Sequence, residues 1–103
     1  MSNLYEMHAE FCKVFSNPTR LEILNLLRNQ EMSVTELIEK TKLSQANVSQ
    51  HLAIMKHKGI VSSRRNRKNV LYKLTNPRII KAFDIIREVL AENLKTRRSV
   101  IRV

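Results

Sequence analysis

Three residues, Thr41-Lys42-Leu43, separate two stretches that each read as a helix, and so short a joint forces the two helices to pack against each other. The first stretch opens with Ser33-Val34-Thr35-Glu36, a capping box. In it the Ser33 hydroxyl accepts from the Glu36 amide while the Glu36 carboxylate reaches back to the Ser33 amide. It is expected to run from about Val34 to Lys40. Ser44 caps the second helix, expected from about Gln45 to Lys58. Gly59, the only glycine of the chain, follows where helices commonly end in a left-handed residue. Ile60 to Arg65 and Val70 to Thr75 then read as two strands, the second alternating Val70, Tyr72 and Leu74 against Leu71, Lys73 and Thr75. Asn66-Arg67-Lys68-Asn69 joins them, and without glycine the turn is expected to place any positive φ on Asn66 or Asn69.

The flanking segments are helical too. Leu4, Met7, Phe11 and Val14 repeat at 3, 4, 3 spacing and form one stripe of a first helix. Ser16-Asn17-Pro18 ends it and starts a second, with Pro18 in the first turn and Asn17 or Ser16 as cap. Leu21, Ile23, Leu24, Leu26 and Leu27 make that helix apolar on most of its surface, as suits the middle of a small core. Pro77 opens the last helix, where Ile79, Phe83, Ile86 and Leu90 form one apolar strip and Ile80, Ile85 and Val89 a second. A core of this size needs only one of them. The other strip and the stripe of the first helix are therefore expected to form a dimer interface, with Leu4, Met7, Phe11, Ile79, Phe83, Ile86 and Leu90 as its contacts. Residues 96–103 are expected to be a mobile basic tail. The whole chain, 1–103, is expected to be a single domain, mainly α, with about five helices and a small two-stranded β-hairpin.

Charge narrows the function. No acidic residue occurs between Glu39 and Asp84, a segment holding Lys40, Lys42, Lys56, Lys58, Arg64, Arg65, Arg67, Lys68, Lys73, Arg78 and Lys81. All of the net charge of +10 is therefore carried by one contiguous part of the chain. Such a field suits a polyanion, and a nucleic acid backbone is the commonest partner. No apolar run approaches the ~20 residues that span a bilayer, so no membrane role is expected. Met1-Ser2-Asn3-Leu4-Tyr5-Glu6 lacks a basic head with an apolar stretch, so no secretion signal is expected, and a single cysteine, Cys12, fits a reducing cytoplasm. One Asp, one Cys, three scattered His and no glycine-rich phosphate loop do not make an enzyme.

The helix expected from Gln45 can be tested by its angles. With Val48 as zero and about 100° per residue, Leu52 and Met55 lie beside it. Ala46, Gln50, Ala53 and His57 point the other way, flanked by Asn47 and Ser49. Such a small, polar face is what a DNA major groove admits. A helix, a short turn, a second helix and a basic hairpin form the order of a winged helix-turn-helix. In addition Ser16-Asn17-Pro18-Thr19-Arg20-Leu21-Glu22-Ile23-Leu24, Leu43-Ser44-Gln45-Ala46-Asn47-Val48-Ser49-Gln50-His51-Leu52, Gly59-Ile60-Val61 with Arg64-Arg65, and Tyr72-Lys73-Leu74 resemble the ArsR/SmtB family of repressors over residues 10 to 90. The resemblance implies a homodimer that binds double-stranded DNA at a palindromic operator and releases it on a signal. It implies base and phosphate contacts at Ser44, Gln45, Ala46, Ser49 and Gln50, beside Asn47, and wing contacts at Arg64, Arg65, Arg67 and Lys68. The alternative is an architectural or protein-interaction module, against which the missing apolar anchor on the reading face argues. RNA is disfavoured by the scarcity of aromatic residues for stacking.

The sensor sites common in that family have no counterpart. Ser33 and Thr35 stand where two thiols would be, the last helix has Asp84 but no histidine, and one cysteine cannot form an intrachain bond. No metal or cofactor is expected, and the effector is left open. His8 and Cys12, at i and i+4 on the first helix, are candidate sensor residues; the alternative is that Cys12 packs as a small hydrophobe. His51 is expected to be structural, packed between the reading helix and the hairpin. His57 is expected to add to the basic surface, and Tyr72 to support the hairpin.

Overall fold

The computed structural model describes residues 3–101, except the side chains of 98–101. Helix α1 (Leu4–Lys13) starts at Asn3, whose Oδ1 accepts from the Glu6 amide at 2.8 Å. Helix α2 (Pro18–Leu26) starts at Asn17, which accepts from the Arg20 amide at 3.0 Å. Strand β1 (Met32–Ser33) leads into α3 (Val34–Thr41), and both halves of the Ser33–Glu36 capping box are formed, at 3.1 and 3.0 Å. Helix α4 (Gln45–His57) is capped by Ser44, which accepts from the Asn47 amide at 3.1 Å. The hairpin of β2 (Val61–Asn66) and β3 (Asn69–Leu74) follows, and then α5 (Arg78–Ile101). Each of the first four helices thus begins at an Asn or Ser that satisfies an orphan amide; the caps of α2, α3 and α4 were legible in the sequence, whereas Asn3 was not singled out.

The sheet has an element the sequence did not announce. β1 pairs antiparallel with β3, giving the order β1-β3-β2, with Met32 opposite Tyr72 and Ser33 opposite Leu71. Ser33 therefore belongs to the sheet and caps α3 as well. The hairpin also closes more tightly than expected. Asn66 and Asn69 form its last pair, leaving Arg67-Lys68 as the whole turn, and the positive φ of 60° falls on Arg67 rather than on either asparagine. Being paired, both asparagines stay extended, so the left-handed step is imposed on a residue with no special aptitude for it. Lys42, which ends α3, is left-handed as well at φ 63°, whereas Gly59 at φ 75° was foreseen.

The core joins every element except α1. Ile23, Leu24, Leu37, Val48, Leu52 and Met55 are fully buried, and Val61, Leu74 and Ile80 close the layer from the hairpin and α5. Val48, Leu52 and Met55 are the side of α4 that the angular reading assigned inward. Val14 and Phe15, just beyond α1, complete the core, and the Phe15 ring meets Phe83 of α5 edge-on at 4.7 Å and Phe11 at 5.2 Å. Arg28 and Asp84 tie the end of α2 to α5 with two hydrogen bonds. The run expected to be a mobile tail from residue 96 continues α5 in its backbone to Ile101; residues 102–103 lie outside the described residues. No helix among the described residues is long and apolar enough to cross a membrane.

Candidate nucleic-acid interface

α4 is seated on the core through Val48, Leu52 and Met55, so its opposite side is fixed as well. Ser44, Gln45, Ala46, Asn47, Ser49, Gln50, Ala53 and His57 are all exposed. The face is free of bulky apolar groups and leaves room for a base edge to approach the helix closely. The Ser44 hydroxyl accepts from the Asn47 amide, which anchors the first turn in place.

His51 sits at the margin of this face, half-buried. Its Nδ1 lies 3.4 Å from Nη1 of Arg20, and Nε of the same arginine donates to the Val14 carbonyl at 2.7 Å. The partner is therefore α2 and the segment after α1, where the sequence suggested the hairpin. Burial lowers the His51 pKa, and the positive charge of Arg20 lowers it further. A neutral imidazole whose Nδ1 is unprotonated can accept from the guanidinium, so the lowered pKa and the contact agree.

On the wing, Arg65, Arg67 and Lys68 are exposed. Arg64 is engaged. Its Nε and Nη2 each donate at 2.8 Å to the carboxylate of Glu31, the residue before β1. Arg64 stands opposite Leu71 and Leu71 opposite Ser33, so this ion pair bridges from β2 over β3 to the far edge of the sheet. The hydrogen bonds from Arg64 hold the Glu31 carboxyl below its ordinary pKa; burial opposes this, and the charges of Arg64 and Lys73 assist. Successive strand residues leave opposite faces of the sheet, so Arg64 and Arg65 start from different faces of the wing. The sequence reading grouped them, and the alternation along β2 separates them.

The candidate dimer residues divide into two groups. Leu4, Met7, Phe11, Ile86 and Leu90 are exposed, whereas Ile79 and Phe83 pack partly against the core of their own chain. Tyr5, Ile85, Val89 and Leu94 extend the exposed apolar set, whose members are 43% to 82% accessible. So large an apolar area on one protomer marks an interaction surface. His8 and Cys12 are both exposed on α1, and no group of three or more His, Cys, Asp or Glu that could hold a metal occurs among the described residues.

Known proteins share this fold. Residues 17–63 match the family described as bacterial regulatory protein, arsR family. The chain is 35% identical over 99 residues to the uncharacterized HTH-type transcriptional regulator Rv0081 of Mycobacterium tuberculosis, covering 95% of this chain and 87% of that one. The crystal structure of Rv0081 superposes with a TM-score of 0.83, covering 94% of this chain and 98% of the other. HlyU of Vibrio cholerae, named a transcriptional activator, is 32% identical over 96 residues, 87% of this chain and 89% of its own; its structure gives a TM-score of 0.76. The homodimeric winged helix-turn-helix DNA-binding domain Mb0332 of Mycobacterium bovis is 27% identical with a TM-score of 0.78, covering 90% of this chain and 86% of that one.

Proposed function

The chain belongs to the ArsR family of bacterial regulatory proteins, a winged helix-turn-helix transcriptional regulator, and from that premise we propose that it acts in the cytoplasm as a homodimeric repressor of a palindromic operator. The observation that carries this reading is the outer side of α4: small and polar from Ser44 to Ala53, backed by Val48, Leu52 and Met55, and followed by a basic wing. Gln45, Ala46, Asn47, Ser49 and Gln50 would meet base edges and the adjoining phosphates, with Ser44 at the helix start. Arg65, Arg67 and Lys68 would neutralise backbone charge beside the reading helix.

The exposed apolar sides of α1 and α5 supply the second protomer's seat, through Leu4, Met7, Phe11, Ile86 and Leu90, with Ile79 and Phe83 beneath them. A two-fold dimer presents two reading helices, which is why the operator is expected to be palindromic. The whole chain works as one DNA-binding domain in this reading. Repression follows if the dimer occludes a promoter; activation, the role in HlyU's name, is the other sign of the same binding event. His8 and Cys12 are given no part in it.

Fluorescence anisotropy tests the proposal, with the protein titrated onto its own upstream DNA and onto a scrambled duplex at physiological salt under reducing conditions. A preference of about 10³ with two protomers per site is expected. Equal, weak and steeply salt-dependent binding to both would favour an architectural module and overturn operator recognition.

A further inference from the structure

Read along the chain, the basic segment contains no acid; in three dimensions it contains one. Glu31 lies outside the segment in sequence, yet β1 carries it to the edge of the wing, where its carboxylate takes both Nε and Nη2 of Arg64 at 2.8 Å. This is the fork geometry by which a guanidinium holds a phosphate, so the edge of Arg64 best suited to DNA is already occupied. The occupant is intramolecular and is held in register by the Met32–Tyr72 and Ser33–Leu71 pairs. A phosphate would have to displace a partner that loses no translational freedom on binding. Lys73, next but one after Leu71, adds its own field to Glu31.

We infer, on the reading that this protein binds DNA, that Glu31 is a built-in counter-anion that withholds Arg64 from the phosphate backbone. The wing then engages DNA through Arg65, Arg67 and Lys68, and Arg64 becomes a phosphate contact only when Glu31 loses its charge. The device sets an upper limit on affinity and on its salt dependence. It keeps a strongly basic protein from holding every duplex it meets.

The test uses Glu31→Gln, Arg64→Ala and the double variant in the full chain, titrated by anisotropy onto a random 30-base-pair duplex from about 0.05 to 0.3 M NaCl. Glu31→Gln is expected to steepen the slope of log K against log salt by about 0.9 and to tighten binding about fivefold at 0.15 M. Arg64→Ala in the Glu31→Gln background should return both values to those of the wild type, while Arg64→Ala alone should change affinity less than about twofold. Unchanged or weaker binding by Glu31→Gln, or the loss of a full unit of slope in Arg64→Ala alone, would overturn the inference. Arg64→Ala alone decides the matter even if Glu31→Gln melts early. A wild type that bound no duplex would bring down the DNA-binding reading itself, an outcome separate from any difference among the variants.

Discussion

Arg28 and Asp84, fifty-six residues apart, form a bidentate ion pair at 2.8 and 2.7 Å that fixes where α5 leaves the core. Asn25 steadies the same guanidinium at 2.8 Å, and Arg87 approaches the carboxylate at 3.6 Å. The hydrogen bonds from Arg28 hold Asp84 below the usual carboxylate range, against the effect of burial and with help from both arginine charges. Asp84→Asn keeps the shape and removes the charge. Faster amide exchange in the first turns of α5 is expected, with a small fall in Tm at low salt that disappears at 1 M. A salt-independent fall would assign the effect to packing instead.

Gln50 and Arg67 should fail differently. Gln50→Ala is expected to cost about 1–3 kcal/mol on the operator and to relax preference at one base pair. Arg67→Ala should weaken binding to all sequences alike and lower the salt slope by about one unit. Equal losses on operator and scrambled DNA for Gln50→Ala would remove that residue from base readout.

Lys42→Gly should stabilise the fold. At φ 63° a lysine carries a left-handed penalty of about 1–2 kcal/mol, of which glycine's extra freedom in the unfolded chain offsets about half. The hydrogen bond that its backbone amide donates to the Ile38 carbonyl, 2.8 Å, is kept. The urea midpoint is expected to rise by an amount equivalent to about 0.5–1 kcal/mol. A lower midpoint would mean that the lysine side chain contributes more than its backbone costs.

His51 sets a pH dependence. Its folded pKa lies below its unfolded value of about 6.5, so the unfolded chain takes up the proton first. The contribution of this group to stability is complete above that pH and is lost as pH falls towards the folded pKa. Glu10, Glu31 and Asp84, whose pKa values are also lowered, act only below about 4.5, so the two windows separate. Tm measured from pH 7.5 to 5.5 should fall in the wild type and stay flatter in His51→Gln. An identical decline in both would show that another group drives it.

Leu90→Asp places a charge in the exposed strip of α5 without touching the core. Sedimentation equilibrium is expected to show monomer at concentrations where the wild type is a dimer, with operator binding lost and far-UV circular dichroism retained. A variant that remained a dimer would move the interface elsewhere.

The helices, the caps of α2 to α4 and the inward side of α4 were legible because each is a local pattern: an Asn or Ser at a start, an apolar residue every third or fourth place. The turn at Arg67 was not, because the residue that takes positive φ is decided by which pair closes the ladder, and Asn66 opposite Asn69 shifts the burden to their neighbour. β1 was hidden for a related reason. Two residues have no periodicity, and Ser33 already looked fully explained as a cap. Missing that strand concealed Glu31's approach to Arg64, which depends on β1 lying beside β3. Counting strips set Ile80, Ile85 and Val89 on one side of the last helix, yet only Ile80 is buried while Ile85 and Val89 are exposed beside Ile86, and Phe83 of the other strip turns partly inward to meet Phe15 4.7 Å away.

Because Ser33 is both the last residue of β1 and the cap of α3, the wing and the helix pair share a hinge point that is locked twice, by the ladder to Leu71 and by the box with Glu36. Each protomer is then a stiff yoke, with wing and reading helix held at one fixed offset. An operator whose half-sites are slightly too near or too far cannot be met by flexing within the yoke. In the proposed dimer the compliance would then come from rotation where the two protomers join or from bending of the DNA, and tolerance for half-site spacing would be a property of α1 and α5 rather than of the proposed reading surface.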